Sequence, residues 1–226
     1  IKYGEWLAAP RNKKIFDAKE KLIFRQTSDK IVGMYISDGY VMRDNTHIVL
    51  KKDNGEIDLK FALSILNSKL LNFYYQLINP EKGEALAQVK LFHLENLPLK
   101  ILPFNEQKKF SKKANQMLSL NKELQEISAK FQRTCERKFE NLNQNKKLQD
   151  WYKFSYADFI KELTKQKIKL TLSEEAEWED YFYTEQKKAL EIQTKIERTD
   201  KEIDEMVYEL YGLSEEEIGI VENSLK

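Results

Sequence analysis

Apolar and polar residues alternate along residues 20–52 of the chain. A period of two is typical of β-strands that bury one face. Asp38-Gly39 and Asn54-Gly55 are dipeptides favoured in tight turns, so we expect hairpins between these strands. The first quarter of the chain therefore predicts a mixed or antiparallel sheet.

A run of apolar residues at helical spacing follows in residues 58–79. Because Pro80 ends the run, it predicts one buried helix that packs on the sheet. After a loop around Gly83, residues 88–93 are predicted to form a short strand. Pro98 and Pro103 indicate that the regular structure of this region ends there, and we place a domain boundary after residue 104.

From residue 105 onward the apolar spacing is that of long helices. Apolar residues recur every three or four positions in two stretches, which predicts two amphipathic helices. We expect these helices to lie antiparallel. Ser155 and Ser173 are expected to start short helices, which lie between the two long helices at about residues 150–180. Ser214 is expected to start a last short helix. The apolar stripes consist of Phe110, Ala114, Met117, Leu120, Leu124, Ile127, Phe131, Cys135, Phe139 and Leu142, and of Ala189, Ile192, Ile196, Ile203, Met206 and Leu210.

These patterns predict an α+β protein. Residues 1–104 are expected to form a domain with a mixed or antiparallel β-sheet and a packed helix, and residues 105–226 an all-α domain of long antiparallel helices. The chain has 41% hydrophobic residues, which is enough to build cores. Its single cysteine, Cys135, excludes an internal disulfide and fits a reducing cytoplasm.

The formal net charge of +1 is the result of a cancellation. Residues 1–170 hold 32 Lys and Arg against 20 Asp and Glu, whereas residues 171–226 hold 6 against 17. A basic body with an acidic end suits binding to a polyanion by one face. Two solvated helical faces of opposite sign are the alternative. No apolar stretch reaches the roughly 20 residues of a membrane span, so we expect no membrane contact.

Motifs of common enzymes are missing from the sequence: it has no glycine-rich phosphate loop and no nucleophile elbow. The two histidines, His47 and His93, are expected to be structural residues on strands. Asp58 and Lys60, with Asp44 upstream, are similar to the metal site of many nucleases, and a magnesium-dependent nuclease is one open alternative. Because Asp58 precedes a predicted helix, capping of that helix is the better interpretation.

Polar side chains of the types that read DNA cluster at the predicted turns and strand ends. Arginine pairs with guanine, Asn or Gln with adenine and Asp with cytosine, while Lys and Thr hold phosphates. Ordinary turn formation and capping of sheet edges is the alternative. The candidate base contacts are Arg25, Gln26, Arg43, Asp44, Asn45 and Gln88. The candidate backbone contacts are Arg11, Lys13, Lys14, Thr27, Lys30, Thr46, Lys82 and Lys90.

Residues 22–50, 61–75 and 94–110 resemble the TaqI-like C-terminal specificity domain. This is the target recognition domain of type IIG restriction-modification enzymes and related adenine-specific DNA methyltransferases. Residues 199–222 resemble the end of the same polypeptides. Residues 102–124 are also similar to the start of the helical spacer in type I specificity subunits, which favours the boundary near residue 104.

The resemblance implies that the chain binds double-stranded DNA and works with an upstream methyltransferase domain of the same polypeptide. That domain would bind S-adenosylmethionine, and Mg²⁺ where the parent also cleaves DNA, and would methylate adenine at N6. Its Asn-Pro-Pro-Tyr type motif does not occur in this sequence. Since the chain begins at Ile1 without a methionine, we expect it to be a fragment without catalytic activity. A scaffold whose long helices bind a partner or a second copy is the other alternative.

Overall fold

The computed structural model describes residues 12–37, 45–52, 55–84, 86–140 and 142–224. Their helices and strands are α1 (Lys13–Asp17), β1 (Lys21–Arg25), β2 (Gly33–Ile36), β3 (Thr46–Val49), α2 (Leu59–Asn67), α3 (Lys69–Ile78), α4 (Leu91–Glu95), α5 (Phe104–Lys138), α6 (Lys146–Gln149), a 3-10 turn (Trp151–Lys153), α7 (Tyr156–Lys165), α8 (Leu172–Tyr211) and α9 (Glu215–Ser224). The predicted α+β fold class is confirmed.

The described residues form two compact units. Those of Ile1–Asn115 and Asp200–Lys226 make up the first unit, and those of Gln116–Thr199 make up the second. The long helices α5 and α8 each have residues in both units. The division of the chain into domains 1–104 and 105–226 stays a prediction. None of the described helices combines the length and the apolar character needed to span a bilayer.

The sheet of the first unit is antiparallel, with β1 in the centre of the order β2-β1-β3. Leu22 and Phe24 of β1 are buried, so the most apolar strand takes the central position. Asp38-Gly39 lies outside the described residues, so the hairpin predicted there stays a prediction. The second predicted hairpin, at Asn54-Gly55, is wrong, because the described chain from Gly55 onward enters α2 and forms no strand.

The single helix predicted for residues 58–79 is two helices, α2 and α3, which meet at Ser68. Ser68 has an extended backbone, and its hydroxyl accepts a hydrogen bond from the Leu71 backbone N–H. A serine side chain that bonds to nearby backbone groups competes with helix continuation, which explains the interruption. The apolar spacing continues through the break, so that Phe61, Ile65 and Tyr75 are all fully buried.

Two asparagines fix these helices to the start of β2, which confirms the predicted packing of helix on sheet. Asn67 accepts a hydrogen bond from the Gly33 N–H at 2.8 Å and donates one to the Gly33 carbonyl at 2.9 Å. Asn72 makes the same pair of bonds with Ile31, at 2.8 and 3.4 Å. Each side-chain amide thus takes the place of a peptide group of a further strand.

The short strand predicted for residues 88–93 is wrong. Gln88 makes only an isolated bridge with Thr27, and the chain then enters α4 at Leu91. His93 therefore lies on a helix and not on a strand, where its ring contacts the ring of Tyr75 with centroids 5.9 Å apart. His47 lies on β3, as predicted.

In the second unit, α5 and α8 are antiparallel, as predicted. Contacts between them pair rising positions on α5 with falling positions on α8: Gln116 with Thr199, Thr134 with Tyr181 and Lys138 with Glu174. An aromatic core lies between these helices and the short helical segments that connect them. Its buried rings are Phe131, Phe139, Trp151, Tyr152, Tyr156, Phe159, Trp178 and Phe182.

The helix starts of this part of the chain agree with the sequence prediction at two of three places. Ser155 caps α7 and Ser214 caps α9, each through a hydrogen bond to a backbone N–H in the first turn. At α8 the cap is Thr171 rather than Ser173, because the Thr171 hydroxyl accepts from the Glu174 N–H while the Glu174 carboxylate accepts from the Thr171 N–H. This reciprocal pair is a capping box.

Candidate DNA-recognition surface

One end of the sheet brings together polar residues from three separate segments. At the end of β1, the Gln26 N–H donates to the Asn45 carbonyl at 3.1 Å, and the Gln26 carbonyl accepts from the Val89 N–H at 2.7 Å. Arg25 stands opposite Thr46 in the register, and Thr27 bridges Gln88. We call this set the reading edge; it consists of Arg25, Gln26, Thr27, Asn45, Thr46 and Gln88.

Among the described residues, the backbone of the reading edge is fixed and four of its side chains are unoccupied. The Arg25 N–H donates to the Val32 carbonyl at 3.0 Å, and the residues on either side of Val32 are those bound by Asn67 and Asn72. Within the described ranges, the side chains of Arg25, Gln26, Asn45 and Gln88 make no hydrogen bond or ion pair; Gln26 is half-buried and the other three are exposed. Because the backbone is already ordered, only the side chains lose conformational freedom when a ligand binds.

Three side chains hold the segment that carries Gln88. The Glu81 carboxylate accepts from the Gln88 N–H at 2.8 Å and pairs with Lys90 at 2.6 Å. The Tyr75 hydroxyl donates to the Gln88 carbonyl at 3.3 Å, and His47 Nε2 donates to the Val89 carbonyl at 2.5 Å. These contacts, which we call the clamp, confirm the structural role predicted for His47.

The clamp keeps its charge and its hydroxyl over a wide pH range. The hydrogen bond from Lys90 and that from the Gln88 N–H hold the pKa of Glu81 below its usual range. Burial is the main cause that raises the pKa of Tyr75 to about 12. A carboxylate with a lowered pKa contributes its stabilisation above its ordinary pKa and loses it only as the pH falls through the lowered value. The clamp is therefore intact at neutral pH.

The candidate backbone contacts divide between two places. Lys30, Lys82 and Lys90 are exposed in the segments next to the reading edge. Lys13 and Lys14 lie in α1 at the other end of the sheet, since the Lys21 ammonium at the start of β1 donates to the Ile15 carbonyl. Three other candidates, Arg11, Arg43 and Asp44, lie outside the described residues. The DNA contacts assigned to all of these residues stay predictions.

Two family models match the chain, and they meet near the predicted boundary. One, described as the TaqI-like C-terminal specificity domain, matches residues 1–99. This region is a TaqI-like C-terminal specificity domain. The other, described as a domain of unknown function (DUF8810), matches residues 103–207. No curated protein and no solved structure matches the chain.

The specificity domain contains the whole reading edge and the whole clamp. Its family assigns the region to DNA sequence recognition in restriction-modification enzymes, which confirms the resemblance that residues 22–50 and 61–75 predicted. The side chains of Arg25, Asn45 and Gln88 in this region are of types that contact base edges in DNA.

Sequence patterns missed the residues that support the reading edge in the specificity domain. The sequence pattern predicts only a helix for Asn67, Asn72 and Tyr75 and a loop for Glu81. A signal for one of them was present, since Asn72 is a polar residue in the middle of an apolar helical run, and such a residue needs a buried partner. Glu81 gave no signal, because an acidic residue in a loop is common.

The nuclease alternative depends on Asp58, which is already used by the helix it precedes. The Asp58 carboxylate accepts from the Lys60 N–H at 2.7 Å and from the Phe61 N–H at 3.4 Å, which is the geometry of a helix cap. This confirms the interpretation of Asp58 as a capping residue. Asp44 lies outside the described residues. No group of three or more His, Cys, Asp or Glu side chains that could hold a metal ion occurs in the described part of the chain.

Asp58→Ala is expected to lower the free energy of unfolding by about 1 kcal/mol, the usual contribution of a helix cap. Asp58→Asn should restore most of the loss, because an asparagine side chain caps a helix nearly as well. Urea denaturation followed by circular dichroism measures both changes. A role as a metal ligand predicts the opposite ranking, in which Asp58→Asn removes Mg²⁺-dependent cleavage as fully as Asp58→Ala does.

Glu81→Ala is expected to reduce the discrimination made by Gln88, because the Gln88 N–H loses its acceptor and Lys90 its partner. The loss should be smaller than that caused by Gln88→Ala, which removes the contact itself. Competition binding with duplexes that differ at one base pair measures it. Glu84→Ala, a loss of the same charge three residues away, should leave the discrimination unchanged; equal effects of the two variants would contradict a positioning role for Glu81.

Proposed function

We propose that this chain is the specificity region of a type IIG-like restriction-modification methyltransferase that modifies adenine in DNA. The chain itself has no catalytic activity. It holds a target site in place for an upstream domain of the same polypeptide, which binds S-adenosylmethionine and transfers the methyl group to N6 of adenine. The enzyme acts on double-stranded DNA in the cytoplasm, and Mg²⁺ is needed only where the parent also cleaves DNA.

The observation that carries this proposal is the reading edge. Backbone pairing joins Thr27 to Gln88 there, although the two residues are 61 positions apart in the sequence. The exposed side chains include an arginine and two amides, which are the groups that form bidentate contacts with guanine and with adenine. Such contacts discriminate between bases only when the backbone is held in place, and the clamp and the two asparagines hold it.

The first test is selection of binding sequences from a randomised duplex library by the 226-residue chain. We expect enrichment of a common motif of several base pairs at low salt. The second test maps the DNA sequence that the longer polypeptide methylates. This sequence should coincide with the selected motif. Binding without any sequence preference would contradict the recognition function, and methylation at a different sequence would contradict the link to an upstream methyltransferase.

A further inference from the structure

The end of the sheet opposite the reading edge carries a group of six lysines, most of which make no ion pair with a described residue. Lys19 precedes β1 and Lys51 and Lys52 follow β3, and the pairing of Leu22 with Val49 brings these positions to the same end. Lys60, in the first turn of α2, joins them, because its ammonium lies 4.6 Å from the ring centroid of Tyr35 on β2. Lys13 and Lys14 of α1 lie at this end as well.

Two of these lysines line one open pocket. The pocket has a volume of about 210 Å³ and is bounded by Lys51, Lys60, Tyr35, Glu20 and Asp58, with apolar walls. Both carboxylates of the pocket accept hydrogen bonds from neighbouring groups. The Glu20 carboxylate accepts the Tyr35 hydroxyl, and the Asp58 carboxylate caps α2. Neither of them forms an ion pair with Lys51 or Lys60.

The absence of ion pairs distinguishes these lysines from most of the lysines on the helices of the second unit. Among the described residues, Lys19, Lys51, Lys52 and Lys60 make no ion pair. The lysines on the helices of the second unit are mostly next to carboxylates: Lys138 pairs with Glu174 at 2.9 Å, Lys165 with Glu162 at 2.7 Å and Lys188 with Glu185 at 2.6 Å. Unpaired cations grouped on one surface attract a polyanion, whereas paired ones leave little net field.

We infer that this surface binds the phosphate backbone of the DNA that flanks the target site, with one phosphate in the pocket between Lys51 and Lys60. The inference rests on the proposed recognition function and adds a separate site to it. The contact is independent of sequence, because ammonium groups neutralise phosphates without reading bases. The six lysines of this end are Lys13, Lys14, Lys19, Lys51, Lys52 and Lys60.

The spacing of the two surfaces suits a single duplex. Arg25 and Lys21 are four residues apart at opposite ends of β1, and a strand rises roughly 3.4 Å per residue, so the ends are separated by roughly 14 Å. This is the axial length of about four base pairs at 3.4 Å each. A duplex that occupies the reading edge can therefore reach the lysines with its flanking phosphates.

The test is the salt dependence of DNA binding by the double variant Lys51→Gln, Lys60→Gln in the full chain. Each lost phosphate contact lowers the slope of log K against log salt by about 0.9. Because Lys51 and Lys60 share one phosphate, we expect a decrease of about 0.9 and an unchanged preference for the target sequence. The matched control is Lys188→Gln, Lys201→Gln, which removes two charges on α8 that already lie beside carboxylates, and its slope should equal that of the unmodified chain.

Duplex length gives a second readout. Removing about four flanking base pairs on one side of the target should weaken binding by the unmodified chain more than binding by the double variant. If the unmodified chain binds its target specifically while the double variant keeps the full slope, the inference is wrong and the recognition function stands. If the unmodified chain binds no DNA, the recognition function itself fails. Thermal stabilisation by inorganic phosphate, lost in the double variant without any change in the DNA slope, would show a free-anion site and overturn the inference.

Discussion

Replacing Arg25 by alanine is expected to remove much of the sequence discrimination of the chain while leaving non-specific binding nearly unchanged. Arg25 is exposed, lacks any partner within the described ranges, and projects from a backbone held by the Val32 carbonyl. A bidentate contact between arginine and guanine contributes roughly 1–3 kcal/mol of discrimination, which corresponds to about 5- to 150-fold in relative affinity. Competition between the selected duplex and singly substituted duplexes measures this ratio.

Lys13→Ala is the control for Arg25→Ala. Lys13 is exposed at the opposite end of the sheet and makes only a long ion pair, of 3.8 Å, with Asp17. Its loss should weaken binding to all sequences alike and lower the salt slope by about 0.9. Equal weakening of all duplexes by both variants would show that Arg25 contacts the backbone, and the proposed division of roles would then be wrong.

The largest expected loss of stability comes from Phe131→Ala in the second unit. Phe131 is 1% exposed, and its ring stacks on that of Trp151 with centroids 3.7 Å apart. Its ring also contacts those of Phe159, Trp178 and Phe182. Truncation of such a ring leaves a cavity and costs roughly 3–5 kcal/mol, which is a large part of the stability of an ordinary domain.

Urea denaturation followed by near-ultraviolet circular dichroism reports on this core, because Trp151 and Trp178 both contact Phe131. Leu172→Ala is the control, since Leu172 is 87% exposed and its truncation should change stability by at most about 0.5 kcal/mol. A loss below about 1 kcal/mol in Phe131→Ala would mean that the aromatic cluster is not the stabilising core of this unit.

The long helices of the chain could be predicted closely from the sequence. The stripe through Phe131 and Cys135 has one period and one buried face, and both residues are buried. Burial also raises the pKa of the Cys135 thiol to about 12, so that it remains protonated. The capping residues Asp58 and Ser155 could be predicted as well, because a cap depends only on the few residues that follow it.

Strand order and the break in the helix could not be predicted in the same way. The Asn54-Gly55 dipeptide favoured a hairpin, but the chain after it enters α2, and in the described sheet β2 and β3 both pair with the apolar strand β1. The break at Ser68 was hidden because the apolar spacing continues through it. Local propensity does not specify which distant segment completes a sheet.

By itself, the sequence determined the types of the recognition residues, the family of the amino-terminal region and the extent of the long helices. Each of these follows from residue identity or from a period of a few positions. Only the tertiary structure decided that Gln26, Asn45 and Gln88 meet at one edge, that Glu81 and His47 hold them there, and that Lys51 and Lys60 share a pocket at the opposite end. The physical reason is that these contacts join positions up to about 60 residues apart, through backbone hydrogen bonds whose partners are chosen by the packing of the whole unit.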